Sequence, residues 1–178
     1  MSGWRPGDRR ADSGSMLRVD QAGEYGATRI YAGQLAVLRR NSANAKLIQR
    51  MAAQEERHLK RFDALMAERR VRPTMLQPLW NVAGFALGAA TALISEEAAL
   101  ACTEAVETEI DRHYGEQLAE LGSEDGELSA DIRQFRAEEL EHRDTAIEHG
   151  SGNAPAHPLL TAAIRAGCRL AIGLSKRI

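Results

Sequence analysis

Apolar residues recur every three or four positions along most of this chain, and no stretch alternates with period two over the length of a strand. The pattern predicts helices throughout. The first runs from about Leu17 to Leu38, with Ile30, Val37 and Leu38 among its apolar positions. It carries Gly23, Gly26 and Gly33, which weaken an isolated helix and so point to close approach by a neighbour. NSAN (41–44) supplies turn and N-cap residues, and a second helix follows from about Ala45 to Arg70. RVRPTMLQP (70–78), with two prolines, is a connector. A third helix covers about 79–94, and a fourth starts at Ser95, an N-cap for EEAAL, and reaches Leu121. GSEDG (122–126) is a turn, the fifth helix runs from about Glu127 to Glu148, GSGNAPAHP (150–158) is a loop, and the sixth takes about 159–176. The expectation is an all-α protein with a loose polar tail over 1–15 and one domain over 16–178.

Composition agrees. The 178 residues are 44% hydrophobic and 27% charged but only 4% aromatic, a balance that favours helix and fits a single globular domain. A net charge of −2 excludes strong attraction to nucleic acid. Cys102 and Cys168 form no CxxC pattern and lie in apolar helical surroundings, so two buried, reduced thiols are expected, as in a reducing compartment. The N-terminus lacks the apolar core of a secretory signal.

Two segments contain no acidic residue. One is 69–95, uncharged after Arg72; the other is 157–178, where Arg165, Arg169 and Lys176 recur at near-helical spacing. Pro78, Asn81 and small residues interrupt the first, and two arginines sit inside the second, so neither makes a membrane-spanning helix. An apolar helix flanked by basic residues lies in a membrane interface or packs inside a bundle, and composition leaves both open.

The chemistry lies in a repeated spacing. In QEERHL, Glu55 stands three places before His58; in EELEH, Glu139 stands three before His142. On a helix, positions i and i+3 share a face, so each motif offers a carboxylate and an imidazole to one metal ion. Singly the pattern is weak: with 17 Glu in 178 residues, it arises by chance at about one histidine in ten. A four-helix carboxylate site also needs one Glu from each of two further helices, at the same height in an antiparallel hairpin. Glu24 and Glu55 have their midpoint at 39.5, beside NSAN; Glu107 and Glu139 have theirs at 123, inside GSEDG. The separations, 31 and 32 residues, make the chain look like two copies of one hairpin. Four carboxylates and two neutral imidazoles balance two Fe(II) ions, and a site without thiolates suits iron or manganese over structural zinc or an iron–sulfur cluster. Glu56, Glu138 and Glu141 are expected to be ordinary exposed residues. Glu104, one turn before Glu107, is a rival ligand or a partner of one, with Glu107 favoured by the midpoint. His113, His149 and His157 lack a Glu at i−3, and the last two lie at or in a loop, where exposed histidines are expected. Tyr25 and Tyr114 lie within two turns of a proposed ligand and line the pocket or pack in the core.

RVDQAGEYGATRIYAGQ, QEERHLKRF, RPTMLQPLWNVAGFALGAATAL, ACTEAVE, FRAEELEHRD and AGCRLAIGLS, in this order, resemble the demethoxyubiquinone hydroxylases of ubiquinone biosynthesis, from about residue 16 to the C-terminus. The resemblance implies a ferritin-like four-helix bundle of two helical hairpins, plus two additional membrane-associating helices. It implies two Fe ions per chain: Glu24 and His58 on one, Glu107 and His142 on the other, with Glu55 and Glu139 bridging. The implied reaction is monooxygenation of a demethoxyubiquinone, or its quinol, with O2 as co-substrate and an external reductant such as NADH. Nothing in the chain resembles a GxGxxG dinucleotide site. The isoprenoid substrate implies membrane contact through about 69–95 and 157–178, peripherally at the cytoplasmic side of the cell membrane. Other ubiquinone-biosynthesis proteins, a lipid-presenting partner and a second copy of the chain are the candidate protein partners. The N-terminus departs from the family and is short for a mitochondrial presequence, which suggests a bacterial-type form. The rivals are an iron-dependent peroxidase or oxidase on the same bundle, and a helical adaptor binding no iron; fold alone does not choose between them.

Overall fold

The structure, a computed structural model, describes residues 11–40 and 42–177. Six α-helices account for most of them: α1 (Ser13–Val37), α2 (Ala43–Arg69), α3 (Gln77–Ile94), α4 (Glu96–Leu121), α5 (Gly126–Glu148) and α6 (His157–Ser175), with a single 3-10 turn over Ser151–Asn153. No strand occurs among the described residues, as the periodicity predicts. The tail expected over 1–15 falls mostly outside the described residues. α1 begins at Ser13, ahead of the predicted Leu17, because the Asp12 side chain accepts from the Ser15 N–H and caps it. Ser42, Ser95 and Asp125 cap α2, α4 and α5 in the same way. α3 and α6 have no side-chain cap and start instead with a proline in the first turn.

α1 packs on α2, and α4 on α5. Between α2 and α5 run ion pairs: Arg61 with Glu127 and Asp131, and Arg69 with Asp125 and Glu127. Two apolar clusters cap a polar middle. One contains Tyr31, Leu38, Ile48, Met51, Leu100 and Ala146. The other contains Leu17, Phe62, Leu65, Leu121, Leu128 and Phe135. Each of α1, α2, α4 and α5 passes from one cluster to the other; between them α2 and α5 each bury one glutamate and one histidine, and α1 and α4 bury acids among small and apolar residues.

α3 lies on α1, and α6 on α4. The α1–α3 contact is made backbone to backbone: a Cβ on Gly33 would lie 2.1 Å from the Phe85 carbonyl oxygen, and one on Gly88 1.9 Å from that of Ile30. Gly33 therefore fits the expected close approach. Gly23 and Gly26 do not, since a Cβ there would meet nothing within 4 Å. The Trp80 indole donates to Ser175 Oγ at 3.1 Å and ties α3 to α6. Among the described residues, eight of the nine exposed large hydrophobic ones, Val82 and Leu159 among them, fall in 75–94 or on α6. No described helix is long and apolar enough to cross a membrane. Cys102 is buried as expected; Cys168 is only half-buried, and both thiols are free.

Candidate metal centre

All six residues singled out by spacing come together in the polar middle, each no more than 2% exposed. Glu24, Glu55, His58 and Glu139 turn ligand atoms to within 4.8 Å of one another, and so do Glu55, Glu107, Glu139 and His142. Glu55 and Glu139 belong to both groups. Both histidines aim Nδ1 inward: that of His58 lies 2.9 Å from Glu139 Oε1 and 3.6 Å from Glu24 Oε2, that of His142 3.0 Å from Glu55 Oε1.

The electrostatics are those of a cation site. Both oxygens of Glu55, one each of Glu24, Glu107 and Glu139, and His58 Nδ1 are buried without a hydrogen-bond partner. Orphaned buried acceptors on this scale need an explanation, and a pair of divalent cations supplies it. Burial pushes the Glu55 carboxyl far up, and the charges of Glu139, Glu24 and Glu107 push it further. Burial and then Glu139 do the same to Glu107. Burial also opposes ionisation of Glu139, but His142 and His58 outweigh it and hold that carboxyl down at about 2. The same contact, with Glu24, overcomes burial to raise His58 to about 11. Without metal, the carboxylates share protons and imidazolium to avoid four buried negative charges; two divalent ions would remove that need. Oxygen and imidazole donors without thiolate fit iron or manganese.

Two tyrosines complete the inner polar shell. Tyr31 on α1 donates to Glu107 Oε1 at 2.9 Å, and Tyr114 on α4 donates to Glu24 Oε1. Tyr114 thus reaches the ligands and also packs in the core, so both of its open alternatives hold, while Tyr25 is half-buried on the flank of α1. Tyr31 was not anticipated, although it stands seven residues after Glu24 as Tyr114 does after Glu107. The expectation that Glu138 is an ordinary exposed residue needs correction: it is half-buried and Oε2 accepts from His58 Nε2 at 2.9 Å. Glu56 and Glu141 are exposed as expected. Glu104 turns away from the cluster and accepts from Ser151 and from His157 Nε2, the latter at 2.8 Å. His157 is accordingly half-buried, not exposed, whereas His149 is exposed. His113 is buried 3.4 Å from Asp20, whose Oδ1 also accepts from Gln117.

Beside this cluster lies a cavity of about 590 Å³ between α1, α3, α4 and α6. Its walls include Gly23, Gly26, Ile30, Leu87, Val106 and Ile164, next to or near Glu24 and Glu107 in sequence. This size and apolar lining suit a small, mostly apolar ligand. Glu109, wholly buried at its edge, takes Arg165 and Arg169 of α6 at 2.7 Å each. Both arginines of α6 are therefore turned onto α4 by an acidic partner that the acid-free composition of the segment concealed.

Comparison with known proteins agrees with this geometry. The family model described as Ubiquinone biosynthesis protein COQ7 matches residues 11–175. The 3-demethoxyubiquinol 3-hydroxylase of Rhodospirillum rubrum is 59% identical over 162 residues, which is 91% of this chain and 76% of that one. The mitochondrial NADPH-dependent 3-demethoxyubiquinone 3-hydroxylases of Rattus norvegicus and Homo sapiens are 57% and 54% identical over 172 and 173 residues. These alignments cover 94% and 95% of this chain and 79% of each relative.

Proposed function

This chain belongs to the family of ubiquinone biosynthesis protein COQ7, and we infer that it is an O2-dependent hydroxylase of demethoxyubiquinone or its quinol. The reaction exchanges a ring C–H for C–OH; two external electrons and two protons carry the second oxygen atom to water. The observation that carries this reading is the buried cluster of four glutamates and two histidines, in which every glutamate keeps at least one oxygen without a hydrogen-bond partner. Glu24, Glu55, His58 and Glu139 would hold one iron, and Glu55, Glu107, Glu139 and His142 the other, on a ferritin-like bundle of two antiparallel hairpins. When bound, the irons supply the redox chemistry that activates O2.

The chain's own residues do the rest. Tyr31 and Tyr114 each engage one oxygen of Glu107 and Glu24, which leaves the second oxygen facing inward. The cavity beside Glu24 and Glu107 takes the quinone ring and excludes bulk water. Its α3 and α6 walls expose Leu79, Val82, Leu93, Leu159 and Leu170, a surface suited to lying in a membrane interface from which an isoprenoid tail enters. The reductant comes from outside the chain; the mammalian relatives' names specify NADPH, where NADH was the expectation from resemblance.

The test is mass spectrometry of quinones extracted from cells lacking this protein and complemented with wild type or Glu139→Ala. Wild type clears accumulated demethoxyubiquinone and Glu139→Ala does not. Full iron content and turnover in Glu139→Ala would refute the shared-ligand role, and a normal quinone pool without the protein or any second hydroxylase would refute the substrate.

A further inference from the structure

The surroundings of the six acids and histidines follow an approximate twofold pattern, and the groups that hydrogen-bond the two histidines from outside differ in charge. Glu24 and Tyr31 on α1 correspond to Glu107 and Tyr114 on α4, and each tyrosine donates to the other helix's glutamate. On α2, Gln54, Glu55 and His58 correspond to Glu138, Glu139 and His142 on α5. The residue before each central glutamate reaches across to the opposite histidine. His142 Nε2 meets Gln54 Oε1 at 2.9 Å, and His58 Nε2 meets Glu138 Oε2 at 2.9 Å. The two contacts agree in length and direction but not in charge: one acceptor is a neutral amide, the other a carboxylate.

An imidazole that ligates through Nδ1 must carry its proton on Nε2, and the outward acceptor fixes both that tautomer and the ring plane. A carboxylate does more than an amide. It forms the stronger, charge-assisted hydrogen bond and makes the imidazole a better donor to metal. Gln134 and Arg57 also donate to Glu138 and hold it in place, and Phe135 stacks on the His58 ring at 4.1 Å.

We propose that Glu138 and Gln54 are positioning residues that make the two halves of the metal centre unequal, with the Glu24–His58 side the tighter ferrous site. This rests on the di-iron reading above. The test is anaerobic titration of the metal-free full-length protein with ferrous ion, followed by calorimetry, with Mössbauer spectra of the loaded form. Wild type shows two separated steps and two iron environments. Glu138→Gln keeps the shape and an acceptor but removes the charge; it weakens the tighter step about tenfold, leaves the other in place and shifts one Mössbauer doublet only. The double exchange Gln54→Glu with Glu138→Gln restores two separated steps at unchanged total charge. Two equal sites in wild type, or a Glu138→Gln protein with both steps unchanged or equally weakened, would overturn the proposal while leaving a di-iron protein. Failure to bind ferrous ion at all would sink the di-iron reading with it.

Discussion

Glycine substitutions on the α1–α3 face should split into two opposite classes. A methyl group added at Gly88 would stand 1.9 Å from the Ile30 carbonyl oxygen and 2.8 Å from its carbon. Both are backbone atoms inside a helix, so no side chain can swing away. Ordinary contact begins near 3.4 Å, and α3 must retreat from α1 by about 1.5 Å to reach it. Alanine is the better helix former by about 1 kcal/mol, but overpacking of this kind costs about 1–3 kcal/mol, and more where backbone must move. The net expectation for Gly88→Ala is a loss of about 2 kcal/mol, or about 4–8 °C in Tm for a chain of this size. Gly26→Ala differs: nothing lies within 4 Å of its Cβ, so the helix gain of about 1 kcal/mol stands alone. That methyl group enters the cavity wall, so KM for the quinone should rise while Tm rises slightly. Thermal and denaturant unfolding of the two variants beside wild type decide the matter. A Gly88→Ala protein as stable as wild type would show that α3 does not lie against α1 as described.

Three further outcomes are expected. Asp125 caps α5 and receives Arg69; burial raises its carboxyl, but Arg69 and the Leu128 N–H outweigh this and hold it below the usual range. A depressed folded-state pKa gives stability that is full above the unfolded value and is lost as pH falls through the folded one. Asp125→Ala should thus cost about 1–2 kcal/mol at neutral pH and less in acid, by urea titration; an equal cost at both would remove the charge argument. Chelating the metal should lower Tm by about 5–10 °C for each site at which ferrous ion had been at a hundred times its Kd, a stabilisation of about 2.7 kcal/mol per site; an unchanged Tm would count against the centre. Replacing exposed Leu159 and Leu170 on α6 by glutamate should abolish flotation with anionic lipid vesicles without changing Tm; undiminished flotation would exclude α6 as a contact.

The six acids and histidines were legible because helix geometry makes i and i+3 neighbours, and because residues equidistant from a turn meet at one height. The second rule also separated Glu107 from Glu104, which the structure sends to His157 instead. What escaped was whatever depends on which helix stands opposite. Glu138 is one residue, about 100° of helix rotation, from the face of Glu139; viewed along α5 alone it belongs to solvent. Only the adjacency of α2 makes it the partner of His58. Arg165 and Arg169 resemble a free basic stripe until α4 brings Glu109 beneath them. Gly23, Gly26 and Gly33 look equivalent along α1, yet only at Gly33 would a Cβ meet a neighbouring backbone. Tyr31 and Gln54 are a different case. Once Glu24 is matched to Glu107 and Glu55 to Glu139, the same shift carries Tyr31 onto Tyr114 and Gln54 onto Glu138. The surrounding shell was therefore written in the repeat that exposed the ligands, and the change of charge from Gln54 to Glu138 falls where the two histidines take their outward hydrogen bonds.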